Sequence, residues 1–301
     1  MFIKSTLPSS ARTDFKGVVA HRGSRTRAPE NTMASFRAAL EDGAKIFELD
    51  VSETSDLRSV VHHDDTLDRT TNGTGKVSDH TFEEVRSLDA GSWFDPQFAG
   101  EKVPSLEEVL GWAKDKIHVD VEIKKHAATP EYADRLLDII DEQGVAGQVT
   151  VTSFNADFIE NLERQKPDLN TGLLIAPHKS LKAAGVGGAL GLVAGLGAGL
   201  AAGGSLSGAL AGAALGLVGG ALTGRYVGSS YARRAIDTTS ADAVIPHWSL
   251  AGPGMIKRAH NEDKNFLTYT VNKPITAKAL KLFGADGVVT DAPVEMRGIY
   301  S

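Results

Sequence analysis

Residues 45–65 read KIFELDVSETSDLRSVVHHDD, two short apolar runs, Lys45–Val51 and Ser59–His63, each ending in acids or histidines. Both have strand composition, and the turn-rich residues between them are too few for the helical crossover that parallel strands require. The pair therefore predicts an antiparallel hairpin. Outward from it, similar runs recur at Gly17–His21, Ile117–Ile123, Gln148–Phe154, Thr171–Ala176, Ala243–Pro246, Phe266–Val271 and Gly287–Thr290. Amphipathic helical stretches lie between most of them, at Asn31–Asp42, Ser105–Lys114, Pro130–Gln143, Ala156–Gln165, Gly252–Asn261 and Ala277–Phe283. Repeated strand–helix alternation predicts an α/β fold around a parallel sheet. Nine strands are one more than a (β/α)8 barrel closes with, so the hairpin places one strand outside a TIM barrel.

Composition narrows the function. The 301 residues carry 38 acids against 32 lysines and arginines, a formal charge of −6. That excludes nucleic-acid binding by bulk positive charge. With no cysteine, disulfides, thiolate catalysis and cysteine-ligated zinc are excluded too. Glycine is distributed abnormally: 15 of the 32 fall within Ala183–Gly224, a stretch without a single charge. The remainder of the chain is close to the roughly 250 residues typical of such a barrel.

Polar residues cluster at the C-terminal ends of the predicted strands, where barrels carry their active sites. Glu48 and Asp50 are two apart on one strand and so share a face. Glu122 ends another strand in the same manner. Three converging carboxylates repel one another unless protons or a cation intervene. Oxygen-only ligands suit one hard divalent ion, Ca2+ or Mg2+. The alternative is solvated strand-end acids, with Glu122 paired to Lys124. His21 and His63 suit proton transfer, because an imidazole titrates near neutrality. Arg22 and Lys124 suit phosphate oxygens, or serve as ion-pair partners of the acids. His62 faces away from His63 and reads as a packing residue.

These residues carry a resemblance. HRG at 21–23, PENT at 29–32, ELDV at 48–51, the run VVHHDDTLDRTTNGTG from Val60 to Gly75, and LDAGSWF at 88–94 resemble the glycerophosphodiester phosphodiesterase family. So do VPSLEEVL at 103–110, VEIK at 121–124, YTVN at 269–272 and VVTDAP at 288–293. The resemblance implies a metal-dependent TIM barrel that cleaves glycerophosphodiesters to glycerol 3-phosphate and an alcohol. It assigns metal ligation to Glu48, Asp50 and Glu122, acid–base work to His21 and His63, and phosphate contacts to Arg22 and Lys124. Tyr269, where the family usually has Trp, and Asn272 fall at substrate-binding positions, and Glu30 lies near the mouth. Residues 65–104 resemble the family's small capping insertion. At the hairpin turn, Asp56-Leu57 replaces the family's usual Asp-Gly.

The uncharged stretch interrupts this pattern. Glycine recurs every fourth residue from Gly187 to Gly203, and again, after a shift of phase, from Gly204 to Gly224. The spacing predicts two helices of about 20 residues, each long enough to cross a bilayer and packed through glycine faces. It resembles the glycine-zipper hairpins of membrane-associated bacterial proteins. Lys179, Lys182, Arg225, Arg233 and Arg234 flank it, and positive flanks mark the cytoplasmic side. The expected arrangement is a barrel in two parts, 17–182 and 225–301, held at the membrane by 183–224, with no signal peptide. Competing readings of the stretch are a flexible linker and a water-soluble hairpin that self-associates. Rival functions are phospholipase D-like cleavage of phospholipids or lysophospholipids, and a membrane-perturbing protein with an accessory barrel.

Overall fold

The structure is a computed structural model that describes residues 15–124, 126–177 and 230–300. The expected helical hairpin at 183–224 lies outside the described residues. Among the described residues, no helix is long and apolar enough to cross a membrane.

Nine strands form one sheet: β1 (Gly17–Ala20), β2 (Ile46–Glu53), β3 (Ser59–Val61), β4 (His118–Ile123), β5 (Val149–Ser153), β6 (Asn170–Ile175), β7 (Ala243–Pro246), β8 (Asn265–Thr268) and β9 (Gly287–Thr290). Eight of them pair in parallel and close into a barrel through β1–β2 and β1–β9. β3 lies outside the ring, antiparallel to β2. The hairpin expected from residues 45–65 is present, and its turn sets Leu57 at φ +61°, in the left-handed region. β2 runs past Val51 into this hairpin. Glu48 and Asp50 therefore sit within β2, although its pairing with β4 stops at Val51.

Helices cover the outside: α1 (Met33–Glu41), α3 (Leu106–Ala113), α4 (Pro130–Gln143), α5 (Ala156–Gln165), α6 (residues 230–238), α7 (Pro253–Asn261), α8 (Pro274–Leu282) and α9 (Pro293–Arg297). The short α2 (Phe82–Ser87) belongs to the segment between β3 and α3. Side-chain caps fix several helix starts, with Thr32, Ser105, Thr129 and Asn155 each accepting a first-turn N–H. α6 carries Tyr231, Arg233 and Arg234 beside a buried face of Ala232 and Ile236. It thus belongs to the barrel's outer layer.

The apolar residues divide into a large core between barrel and helices and a smaller cluster inside the barrel. The inner cluster is Phe15, Val19, Ile46, Leu174, Ala243, Ile245, Leu267 and Val289. A third cluster, with Leu67, Val77, Val85 and Val103, lies between β3 and the segment that follows it. Parallel strands covered on both faces read as near-continuous apolar runs, which is why they stand out in the sequence.

Candidate active site

The chain leaves β1 through a tight left-handed turn, with Arg22 at φ +56° and Gly23 at φ +82°. A Cβ on Gly23 would lie 2.5 Å from Ser35 Oγ, so glycine is required by space as well as conformation. A positive φ at a non-glycine residue is unfavourable, and here it aims Arg22 at three acids. Its N–H donates to Glu48 Oε2 at 2.8 Å and its Nη1 to Glu30 Oε1 at 2.7 Å, while Nε lies 3.1 Å from Asp50 Oδ2.

Register brings the acids together. Glu48 and Asp50 share the inner face of β2, and β4 is aligned so that Glu122 stands opposite Asp50. One carboxylate oxygen from each of the three lies within 4.8 Å of the others, and all three residues are buried. Lys124 Nζ sits 2.6 Å from both Asp50 Oδ1 and Glu122 Oε1. Asn31, also at positive φ, donates from Nδ2 to Asp50 Oδ2 at 2.8 Å and accepts from Asp50 N at 3.2 Å.

These surroundings separate the three carboxyls electrically. Burial, then the charges of Asp50 and Glu122, holds the Glu48 carboxyl well above its ordinary range. Burial and Asp50 likewise raise Glu122, against the pull of Lys124. Burial would raise Asp50 too, but Lys124 and Arg22 more than reverse it and keep that group ionised. Glu48 Oε1 is buried without a hydrogen-bond partner. An orphaned carboxylate oxygen beside two other carboxylates fits a hard cation, which would neutralise the acids that Arg22 and Lys124 leave uncompensated.

A histidine–aspartate pair flanks this cluster on either side of the β1–β2 seam. His21 Nδ1 is 2.6 Å from Asp291 Oδ1, just beyond β9, and His63 Nδ1 is 2.5 Å from Asp64 Oδ1, just beyond β3. A carboxylate only accepts, so each Nδ1 carries the proton and each neutral ring offers Nε2 as its free lone pair. Burial lowers the pKa of both imidazoles, more than the adjoining carboxylates raise it. His62 is a packing residue, as expected: it is buried, with Nε2 3.0 Å from Thr66 O.

Two expected substrate contacts hold different partners here. Asn272 donates from Nδ2 to Asp291 Oδ2 at 2.6 Å, and its Oδ1 accepts from Asp291 N and Thr290 Oγ1. Its side chain thus reaches His21 through Asp291. Tyr269 follows β8, leans across the barrel top, and donates from Oη to Ile175 O at 3.3 Å. Its ring meets Phe154 and His247 edge-on, with centroids 5.9 and 5.7 Å away. With Trp248 beside His247, these rings form an aromatic wall at the ends of β5, β7 and β8.

Sequence reasoning missed Asn31, Arg25, Arg69 and Asp291 as members of the site, and Phe154, His247 and Trp248 as its wall. Asn31 is part of the quoted PENT, and Asp291 stands directly after β9. The strand-end position that singled out His21 and Glu122 applies to Asp291, Phe154 and His247 as well. Arg69 lies within the quoted run from Val60 to Gly75, and nothing local marks Arg25.

The sequence pattern of the glycerophosphoryl diester phosphodiesterase family matches residues 21–198 and 217–295. A glycerophosphodiester phosphodiesterase of Caldanaerobacter subterraneus is 44% identical over 159 residues, which cover 52% of this chain and 65% of that protein. YhdW of Bacillus subtilis is 30% identical over 276 residues, covering 92% of this chain and 94% of its own. Among solved structures, a phosphodiesterase of Oleispira antarctica, in complex with its product sn-glycerol-3-phosphate, superposes with a TM-score of 0.71 at 21% identity, over 94% of this chain and 96% of that one. A glycerophosphodiester phosphodiesterase of Agrobacterium tumefaciens gives a TM-score of 0.68 at 23% identity, over 95% and 100% of the two chains. At these identities the superpositions show a shared fold.

Proposed function

The chain belongs to the glycerophosphoryl diester phosphodiesterase family, and from that premise we propose that it hydrolyses glycerophosphodiesters to glycerol 3-phosphate and an alcohol, using one divalent cation, Ca2+ or Mg2+. The observation that carries this reading is the trio of buried carboxylates, within 4.8 Å of one another, between two Nδ1-anchored histidines.

Glu48, Asp50 and Glu122 would hold the cation, which when bound supplies Lewis acidity to a phosphoryl oxygen. The remaining steps fall to side chains. Arg22 and Lys124 are fixed cations at the acid cluster, suited to the charge that grows on the phosphoryl oxygens as the phosphorus becomes five-coordinate. One histidine Nε2 takes the proton of the attacking hydroxyl, from water or from the substrate's own glycerol; in the second case the cyclic phosphate so formed is opened by water in a further step, with the two histidines exchanging roles. The other, protonated, gives its proton to the departing alkoxide as the phosphorus–oxygen bond breaks. Asn272 we assign to the support of Asp291, and Tyr269 with its aromatic neighbours to the organic part of the substrate.

Residues 183–224 we assign to membrane attachment, as a helical hairpin inserted between the barrel parts 17–182 and 225–301, with 65–104 as the cap. Its support is the lack of charge over the stretch, the four-residue glycine period and the basic flanks. The barrel then faces the cytoplasm, and the glycine faces permit self-association. The connection from β6 to β7 leaves from the rim that carries the site, which turns the mouth toward lipid-derived phosphodiesters.

The decisive experiment measures glycerol 3-phosphate released from glycerophosphocholine after EDTA, with Ca2+ or Mg2+ restored. The full chain is compared with a variant in which Ala183–Gly224 is a short linker. Cation-restored release by both is expected, with only the full chain floating with liposomes. Release from lysophosphatidylcholine alone would replace the substrate class. Absence of either reaction in a folded barrel would overturn the proposal.

A further inference from the structure

Two arginines lie between the histidine–aspartate pairs, and both converge on one buried carboxylate. On the His63 side, Arg69 forks onto Asp64, with Nε 2.6 Å from Oδ2 and Nη2 3.1 Å from Oδ1. The same Nη2 donates to Glu30 Oε1 at 2.7 Å. On the His21 side, Arg25 Nη1 donates to Asp291 Oδ1 at 3.4 Å, and its Nη2 lies 2.9 Å from Glu30 Oε2. Glu30, with a side chain only 2% exposed, also holds Arg22. The path His63–Asp64–Arg69–Glu30–Arg25–Asp291–His21 is continuous, and it bypasses the three acids of the cation cluster.

We propose that Glu30, Arg25 and Arg69 are positioning residues that join the two histidine–aspartate pairs into one frame and hold both imidazoles with Nδ1 protonated and Nε2 free. The proposal rests on the assignment of His21 and His63 as the proton carriers. Asp64 and Asp291 are each about one-quarter exposed, short and free to turn, so a carboxylate alone would fix its imidazole poorly. A guanidinium fork fixes both oxygens of its partner. Glu30 in turn orients both guanidiniums. Burial alone would raise its carboxyl, but Arg69, Arg22 and Arg25 hold it down at about 2, so it remains a charged hub.

The two arms differ. Asp64 is held by the full fork of Arg69, whereas Asp291 has a longer contact with Arg25 and a second donor in Asn272. The other charged groups facing the rings are Arg22 and Asp50 for His21, and Asp50, Lys124 and Arg22 for His63. None of these lies on the path between the pairs. Loss of Arg69 therefore frees His63 selectively, loss of Arg25 affects His21 weakly, and loss of Glu30 loosens both.

The test uses the full chain in three variants, Arg69→Gln, Arg25→Gln and Glu30→Gln, with Arg69→Lys as the conservative partner. Imidazole 15N shifts, recorded at about pH 9 where both rings are neutral, report which nitrogen carries the proton. Arg69→Gln is expected to mix the tautomers of His63 alone, and Glu30→Gln those of both histidines. On glycerophosphocholine, Arg69→Gln should lose about 10- to 100-fold in kcat with little change in KM, the usual cost of removing a residue that orients a ligand or base. Glu30→Gln, which also releases Arg22, should lose at least as much in kcat and raise KM as well. Arg25→Gln should lose less, and Arg69→Lys should recover part of the loss. Unchanged tautomers in Arg69→Gln would overturn the proposal even if the melting temperature fell, since that marks a clamp between segments. Arg69 is 44% exposed, so this variant decides the matter if Glu30→Gln does not fold. If His21→Ala and His63→Ala remain active, the proton-carrier assignment fails separately, and the tautomer data still decide whether the frame exists.

Discussion

The two walls of the barrel interior are made of different chemistry. β2, β4 and β5 line it with Glu48, Asp50, Asp120, Glu122, Thr150 and Thr152, and β6 to β9 line it with Leu174, Ala243, Ile245, Leu267 and Val289. The apolar wall gains stability from every buried methylene. The acidic wall gathers like charges out of water, which opposes folding unless partners are supplied. Some are: Thr152 Oγ1 donates to Asp120, and Lys124 and Arg22 pair with Asp50. Glu48 Oε1 has none. One wall therefore favours the fold, and the other carries the candidate site at the expense of the fold.

The largest effect that would break this contrast is at Glu48. Glu48→Gln keeps the shape and removes the unfavourable charge. It should cost at least about 10²-fold in phosphodiesterase activity, the order expected when a ligand to a catalytic cation is lost. It should unfold in denaturant no earlier than wild type. Loss of both activity and stability would make Glu48 a structural acid. On the facing wall, Leu267→Ala should do the reverse. It should destabilise by about 2–5 kcal/mol while leaving kcat per folded molecule within a few-fold.

His118 sharpens the comparison from the floor of the acidic wall. It is buried at the start of β4, with Nε2 2.8 Å from Thr150 Oγ1. Burial pushes its pKa down to about 4. The unfolded chain holds that proton up to about pH 6.5, where the native barrel refuses it. Stability is therefore complete above about 6.5 and drains as the pH falls toward 4, by up to about 3 kcal/mol. Urea titrations of wild type and His118→Asn at pH 7 and pH 4.5 should show the acid loss reduced in the variant. The smallest effect belongs to neither wall. Leu57, exposed and left-handed at the β2–β3 turn, should be improved by Leu57→Gly by about 1 kcal/mol in thermal unfolding.

The barrel was legible because its strands are apolar runs that end in polar residues. All nine expected strands are present, and Ala243–Pro246 and Gly287–Thr290 match to the residue. The expected Phe266–Val271 run is displaced, since β8 begins at Asn265 and ends at Thr268, which leaves Asn272 in the following loop. α6 escaped notice beside the uncharged stretch, where a two-residue buried face gives little periodicity. At the site, Glu48, Asp50 and Glu122 were readable because a period of two fixes a strand face. The partners of His21 and His63 were readable only by adjacency. Asp64 follows His63 in the chain, but Asp291 is 270 residues from His21, and pairing over that distance is decided by barrel closure.

Arg69 belongs to the segment between β3 and α3, yet it holds the aspartate beside His63. That segment is consequently no interchangeable ornament of the scaffold. A graft that lacks a guanidinium at this point would leave Asp64, and through it His63, without that fork along with its new surface. A substitute segment keeps Asp64 forked only if it too brings a guanidinium to the place of Arg69, so its surface can be exchanged more freely than this one contact.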